Sequence, residues 1–289
     1  MKTLIILLTA FILFSSLKSD NKELNSSLLW EVQIDESHKS YIFGTIHMIE
    51  KDKFYFPKKL KQIIGKSDRL ILELDKIPGP LDVLKLLKGK NYQTIDQFNK
   101  AQQDSIFNWF ENKMNYNEQK TRGLFYKMPP VFISQTMILK LIDSKLKSYE
   151  KEIFKIAKKK NIQTLGLETL AFQFDLLTSI PDSISKKNIL QTVKYDSEVK
   201  SDFNKLTETY LQQNIDSIYQ FILKSEEYSD ISTKELIDRR NKNWIPILEK
   251  EFKNSNCFVA VGAGHLGGKN GIINLLKDKG YQLYPVSLN

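Results

Sequence analysis

Two histidines of this chain share a Gly-x-x-His spacing at the end of a short apolar segment. His47 ends residues 41–47 (YIFGTIH), and His265 ends residues 258–265 (FVAVGAGH). The chain has three histidines in all, so two of them lie in the same sequence context. An imidazole can bind a metal or transfer a proton near neutral pH. The repeated spacing is therefore the strongest indication of a functional site in this sequence.

Two glutamates lie at comparable positions. Glu73 falls within the apolar segment 69–74, and Glu168 directly follows the segment 162–167. A carboxylate flanked by apolar residues needs a partner, because an unpaired buried charge is costly. Two imidazoles and two carboxylates form a mixed nitrogen and oxygen donor set that suits Mn, Co, Fe or Zn. Such a set predicts metal-assisted hydrolysis, with one glutamate as a further ligand or as the general base.

Each carboxylate also has a plainer interpretation. Glu73 could form a salt bridge at a strand end with Arg69 or Lys76. Glu168 could stabilise the start of a helix, where an acidic side chain is favoured. Either interpretation would leave the proposed site with one carboxylate fewer.

Arginine is scarce in this chain, yet two of its four arginines, Arg239 and Arg240, are adjacent. A guanidinium binds a carboxylate or an oxyanion through paired hydrogen bonds. Arg240 is therefore a candidate for contact with the substrate or with a metal-bound oxygen. The alternative is a charge pair on a helix surface with Asp238 or Glu235.

These residues must be positioned by a sheet. Short apolar segments that end at glycine are typical of buried strands, and open α/β sheets bind ligands at the carboxyl ends of their strands. Both Gly-x-x-His motifs are followed by a helical pattern and another apolar segment. We predict an α/β fold with an α+β layout, in which a central mixed sheet contains two strand–Gly-x-x-His–helix–strand units. A large helical insertion, about 81–160 and 169–253, covers this sheet within a single domain at 28–286.

Local signals define some of these elements more closely. Residues 28–47 predict a hairpin with His38 exposed in its turn. The helix after the first motif should begin at Pro57, and Asn270 should cap the helix after the second. Cys257 starts an apolar strand and is expected to be a small buried residue rather than a nucleophile.

The N-terminal residues predict export. Lys2 precedes an uncharged apolar segment, 3–17, which is of signal-peptide length and is short for a membrane-spanning helix. We interpret 1–19 as a signal peptide or an uncleaved N-terminal anchor, which implies a periplasmic or extracellular protein.

The formal net charge of +9 does not indicate nucleic-acid binding. Lysines are spread over the helical segments instead of being concentrated beside stacking aromatic residues. Weak peripheral association with an anionic membrane is compatible with this distribution.

The glycines of 262–267 formally fit a phosphate-binding loop, but too little chain follows them for a dinucleotide fold. A peptide or a small molecule is the expected substrate, and the sequence does not indicate an oligomeric state.

Several short segments together resemble the TraB/GumN family, which is related to the Tiki metalloproteases and more remotely to erythromycin esterases. The resemblance extends over nearly all residues from 28 to 286. The segments that carry it are FGTIH at 43–47, LELD at 72–75, GLET at 166–169, Arg240-Asn241, and VAVGAGHL at 259–266.

The resemblance implies a divalent-metal-dependent hydrolase that acts on peptide bonds. In this interpretation His47, Glu73 and His265 hold the metal, Glu168 is a ligand or the base, and Arg240 engages the substrate or an oxyanion. The erythromycin esterase relationship keeps a metal-independent esterase-like hydrolase as an alternative. A non-catalytic exported protein that binds a peptide or a haem-like ligand is the other alternative.

Overall fold

A six-stranded mixed sheet forms the centre of the computed structural model, which describes residues 26–35, 38–142, 145–226 and 237–288. The strand order is β6-β4-β7-β2-β1-β8, and β3 pairs separately with β5. The strands are β1 Leu29–Gln33, β2 Lys39–Thr45, β3 Ile49–Glu50, β4 Arg69–Leu74, β5 Leu146–Lys147, β6 Gln163–Glu168, β7 Cys257–Gly262 and β8 Gln282–Val286.

Helices cover both faces of the sheet and extend beyond it. Within the described ranges they are α1 Lys58–Lys66, α2 Pro80–Leu87, α3 Lys100–Met114, α4 Glu118–Lys127, α5 Pro130–Leu141, α6 Tyr149–Lys160, α7 Leu170–Thr178, α8 Asp182–Lys194, α9 Asp196–Leu211, α10 Ile215–Glu226, α11 Arg239–Phe252 and α12 Ile272–Asp278. The expected α/β fold with a mixed sheet is thus confirmed, and helices dominate the described residues of 81–160 and 169–253.

The parallel part of the sheet determines where the candidate residues meet. Strands β6, β4, β7 and β2 are parallel neighbours, whereas β1 is antiparallel to both β2 and β8. The carboxyl ends of the four parallel strands therefore lie at one edge. The two strand–helix–strand units are β2–α1–β4 and β7–α12–β8. They interleave, because β7 lies between β2 and β4.

Alternation along the strands explains the two-sided core. In β7, Phe258 and Ala260 pack with α1 and α6, while Val259 and Val261 pack with α11 and α12. A strand that is buried on both faces needs apolar residues at successive positions. The sequence of β7 is therefore continuously apolar. A third cluster, formed largely by α3, α4, α5 and α8, contains Ile106, Phe110, Phe125, Ile133 and Ile189.

Several local expectations can be compared with these elements. Strand β4 coincides with the predicted segment, and α1 begins directly after Pro57. His38 lies in the hairpin turn, but it is half-buried rather than exposed. Asn270 does not cap α12, because the helix begins at Ile272 and its N-cap is therefore Gly271. The side-chain amide of Asn270 donates to Asp238.

Other expectations have different outcomes. The two-residue strands β3 and β5 were not expected, since such short pairs have no periodic signal. The segment 1–19 interpreted as a signal peptide or anchor lies outside the described residues. No helix in the described part of the chain is both long and apolar enough to cross a membrane.

Candidate active site

The sheet brings four of the candidate residues to one edge. His47 follows β2 by two residues, Glu73 is the penultimate residue of β4, and Glu168 ends β6. His265 ends a short 3₁₀ turn directly after β7. The fifth candidate, Arg240, reaches the same edge from the first turn of α11.

Arg240 links the two glutamates. Its Nη2 donates to Glu73 Oε2 at 2.7 Å and to Glu168 Oε2 at 2.8 Å, while Nε donates to Glu168 Oε1 at 2.9 Å. The three side chains are only 12%, 14% and 7% exposed for Arg240, Glu73 and Glu168. Such a buried arrangement requires each charge to be compensated by its neighbours. Arg240 is therefore part of this buried cluster of charged side chains.

Glu73 forms its ion pair with Arg240, and not with the two basic residues that its plainer interpretation named. Arg69 pairs with Glu251, and Lys76 pairs with Asp82. Thr169, not Glu168, caps α7 through its side-chain oxygen.

Two neighbouring residues complete the polar network around these carboxylates. The Gln173 amide donates to Glu73 Oε2 at 3.1 Å and to Glu168 Oε2 at 3.2 Å. The Trp244 indole donates to Glu168 Oε1 at 2.9 Å, and its ring lies 4.9 Å from the guanidinium carbon of Arg240. Trp244 is fully buried, and its indole N–H helps to orient Glu168.

The hydrogen bonds of Asn241 determine the tautomer of His265. The Asn241 amide nitrogen donates to the backbone carbonyls of His265 and Asn270, so its Oδ1 is the remaining acceptor. His265 Nδ1 lies 2.7 Å from that oxygen and must carry the proton. Nε2 consequently has a lone pair, and Arg240 Nη1 lies 3.2 Å from it.

His47 is held in a different way, by a residue that sequence reasoning missed. Its Nδ1 lies 3.1 Å from Glu150 Oε1. Glu150 also accepts hydrogen bonds from the hydroxyls of Thr45 at 2.6 Å and Ser148 at 2.7 Å. Glu150 lies in the first turn of α6, where an acidic residue is ordinarily explained by the helix dipole. This local explanation gives no indication that Glu150 orients His47.

The two Gly-x-x-His motifs are therefore not equivalent in three dimensions. Gly44 is opposite Val261 and Gly262 is opposite Thr45, so the motif glycines are staggered by one residue. The second motif turns inward under α10, and His265 is 6% exposed. The His47 side chain is 74% exposed.

Close packing against α10 explains Gly264 and Gly267, two glycines within and just after the second motif. A Cβ on Gly264 would lie 2.3 Å from Ile222 of α10, and one on Gly267 would lie 2.3 Å from the Ile215 carbonyl oxygen. These glycines allow α10 to approach the loop, which accounts for them without a phosphate.

The site also shifts the pKa values of its ionisable groups. Burial alone would raise the pKa of Glu73, but His265, His47, Arg240 and the Gly262 N–H outweigh it and lower the pKa to about 2. Burial lowers the pKa of His265 to about 3. At neutral pH Glu73 is therefore ionised and His265 is neutral.

His47 shifts in the opposite direction. Its hydrogen bond with Glu150 raises its pKa to about 9. Because water reaches most of this ring, dissolved salt will weaken the effect.

A cleft of about 270 Å³ opens beside His47 and Glu73. Gln173, Ser148 and Glu150 contribute polar groups to its lining. Its remaining walls are apolar apart from Lys76 and contain Met48, Leu72, Leu74, Ile77, Pro78 and Ala260. An apolar cleft with a few converging polar groups is typical of a small-molecule or peptide side-chain site.

The donors have the chemistry that a divalent metal requires. His265 offers an unprotonated Nε2, and Glu73 offers an ionised carboxylate. In the described arrangement, however, the Arg240 guanidinium lies against both donors. No group of three or more His, Cys, Asp or Glu side chains is arranged as a ligand set within the described ranges. The donor types thus fit a metal, provided that the guanidinium moves away from His265.

The fold and the site define an α/β protein with a His/Glu/Arg cluster at the carboxyl ends of parallel strands. The chain matches the TraB/PrgY/gumN family over residues 28–285, and it belongs to that family. It is also similar to a Danio rerio protein named Metalloprotease TIKI2, at 22% identity over 91% of this chain. The chain spans 61% of the length of that relative. No solved structure matches the chain at a significant level.

Proposed function

We propose that this protein is a divalent-metal-dependent hydrolase that cleaves peptide bonds, with His47, Glu73 and His265 as the metal ligands. One observation carries the proposal. The Nδ1 of each motif histidine is held by a protein oxygen, from Glu150 for His47 and from Asn241 for His265. Histidines that bind metals usually have this arrangement, which orients the ring. Nε2 is already unprotonated on the neutral His265, whereas His47, whose pKa is raised to about 9, must release a proton when the ion binds. Similarity to a protein named a metalloprotease supports the same class of reaction.

A metal in this position would polarise the substrate carbonyl and lower the pKa of bound water. The residues of the chain have their own roles. Glu73 keeps its negative charge at neutral pH, and His265 keeps its lone pair. Glu168 is anchored by Trp244 and Arg240, and it is the candidate general base or additional ligand.

Arg240 would change its contacts when a metal binds to the site. Metal binding at His265 requires Nη1 to leave Nε2, while the bonds from Nε and Nη2 to Glu168 keep the side chain nearby. From there the guanidinium can bind a carboxylate or an oxyanion of the substrate.

Elemental analysis of the untagged protein tests the metal assignment. Wild type should bind about one equivalent of Mn, Co, Fe or Zn, and the His47→Ala/His265→Ala variant should lose it. His38→Ala is the matched control, because it removes the third histidine, which lies in the β1–β2 turn. Circular dichroism would show that the variants remain folded. Metal retained by the double variant, or none bound by reconstituted wild type, would contradict the proposal.

A metal-independent hydrolase is the second candidate, and a specific contact favours it. The unprotonated Nε2 of His265 could act as a general base, and the adjacent guanidinium could stabilise an oxyanion. Peptide and ester hydrolysis assayed with and without a chelator distinguishes the two. Activity that survives chelation and disappears in His265→Ala would support this candidate.

Export of the protein and cleavage of the predicted signal peptide remain part of this proposal. They are tested by N-terminal sequencing of the protein recovered from a secreting host.

A further inference from the structure

Helix α2 presents an apolar surface to solvent beside the candidate active site. None of its residues is buried. Leu81 and Leu84 are 73% and 59% exposed, more than the other large hydrophobic residues that the structure describes as exposed. They are three positions apart and therefore lie on the same face of the helix. Exposed leucines this close together indicate an interaction surface rather than chance exposure.

Lysines surround this surface. Lys85, Lys88, Lys90 and Lys127 line a shallow groove together with these leucines and Leu87. The one acidic residue of the helix, Asp82, is already paired with Lys76 at 2.9 Å and accepts from the Gly79 N–H. The surface is thus apolar in the middle, positively charged at its rim, and not neutralised by its own acidic residue.

We propose that α2 and its lysine rim dock on an anionic lipid bilayer. A helix that inserts leucines at the headgroup level while flanking lysines contact anionic lipids is a general mode of interfacial binding. A protein partner fits less well, because a stable interface buries about 800 Å² on each side and this patch consists of a few side chains. The proposal is independent of the proposed hydrolase activity.

The position of α2 in the fold agrees with this orientation. The helix follows the carboxyl end of β4, so it lies at the active-site edge of the sheet. The start of β1 lies at that edge too, because Leu29 pairs with Phe43 near the end of β2. The uncharged segment 3–17 precedes β1 in the sequence. A bilayer that contacts α2 would therefore face the candidate active site.

A fluorescent label on α2 tests the contact locally, whatever the N-terminal segment does. An environment-sensitive dye can be attached through Leu84→Cys, because the native Cys257 is fully buried. We expect a blue shift with vesicles of phosphatidylcholine and phosphatidylglycerol, weakening as salt is raised, and none with phosphatidylcholine alone. Lys85→Glu/Lys88→Glu on the labelled protein should weaken binding by about tenfold or more. The same dye at Leu139→Cys, an exposed leucine of α5, should not respond.

The matched charge control is Lys158→Glu/Lys159→Glu, at the end of α6, which changes the net charge equally and should leave the shift intact. Three results would overturn the proposal: no shift with anionic vesicles, an equal shift with neutral vesicles, or an equal loss in the charge control. A shift without lipid that grows with protein concentration, together with dimers in light scattering, would also overturn it, in favour of a second copy as the occupant.

Discussion

Replacing Arg240 by alanine should strongly destabilise the protein, because two buried carboxylates would lose their cation. Arg240 contacts Glu73 and Glu168, whose side chains are 14% and 7% exposed. Removing one partner of a buried ion pair typically costs about 3–5 kcal/mol. For a chain of this size each kcal/mol lowers the melting temperature by about 2–4 °C. The expected decrease is therefore roughly 6–20 °C.

The destabilisation caused by Arg240→Ala should depend on pH through the ionisation of Glu73. The pKa of Glu73 is about 2 in the folded protein and 4.5 ordinarily. Its ionised form therefore stabilises the folded state above about pH 4.5, and this contribution is lost as the pH falls through 2. Without Arg240 the pKa of Glu73 rises, so protonation can relieve the buried charge. The difference between wild type and Arg240→Ala should shrink as the pH is lowered from 7 to 4.

Thermal and urea unfolding followed by circular dichroism measure this difference. Arg239→Ala is the matched control, because it removes the adjacent but exposed arginine, whose surface contacts should contribute no more than about 1 kcal/mol. If Arg240→Ala and Arg239→Ala were equally stable, the guanidinium would not be compensating the carboxylates, and the electrostatic argument would be refuted.

Three further predictions concern other parts of the structure. Glu150→Gln should weaken metal binding by about 10- to 100-fold in calorimetric titrations, because His47 would lose the carboxylate that orients it. Gly268→Ala should destabilise the protein by more than about 1–2 kcal/mol in urea unfolding, because φ is +77° there and a Cβ would lie 2.4 Å from the Tyr219 ring. Cys257 should resist alkylation at pH 8 until the protein unfolds, because burial raises the pKa of its thiol to about 12.

The first two of these predictions have a matched control variant in the same protein. Glu152→Gln changes a neighbouring acid in the same turn of α6, one that pairs with Lys155, and should leave metal affinity unchanged. Gly89→Ala has the same backbone strain, with φ at +76°, but no atom within 4 Å, so its cost should be clearly smaller than that of Gly268→Ala. If the two substitutions of either pair had equal effects, the contact proposed to cause the difference would not be responsible for it. Rapid labelling of folded Cys257 would show that β7 opens readily.

The local sequence contained enough information to predict most of the elements around the site. Strand β4, the start of α1 after Pro57, and β6 ending at Glu168 follow from apolar segments bounded by glycine, proline or charged residues. The convergence of the strand ends was also predictable, because parallel strands place their carboxyl ends at one edge of the sheet.

Tertiary structure decided what these residues contact. Glu150 looks like an ordinary helix-start acid, yet packing of α6 beside β2 brings it to His47, 103 positions away in sequence. Arg240 turns inward because α11 runs along one face of the sheet with its first turn at the carboxyl ends of β4 and β6, while its last turn reaches Arg69 at the start of β4. The two motif histidines differ because only the second is covered by α10. Periodicity describes how one element repeats along the chain, whereas these contacts depend on how distant elements pack, so they are not encoded in any single segment.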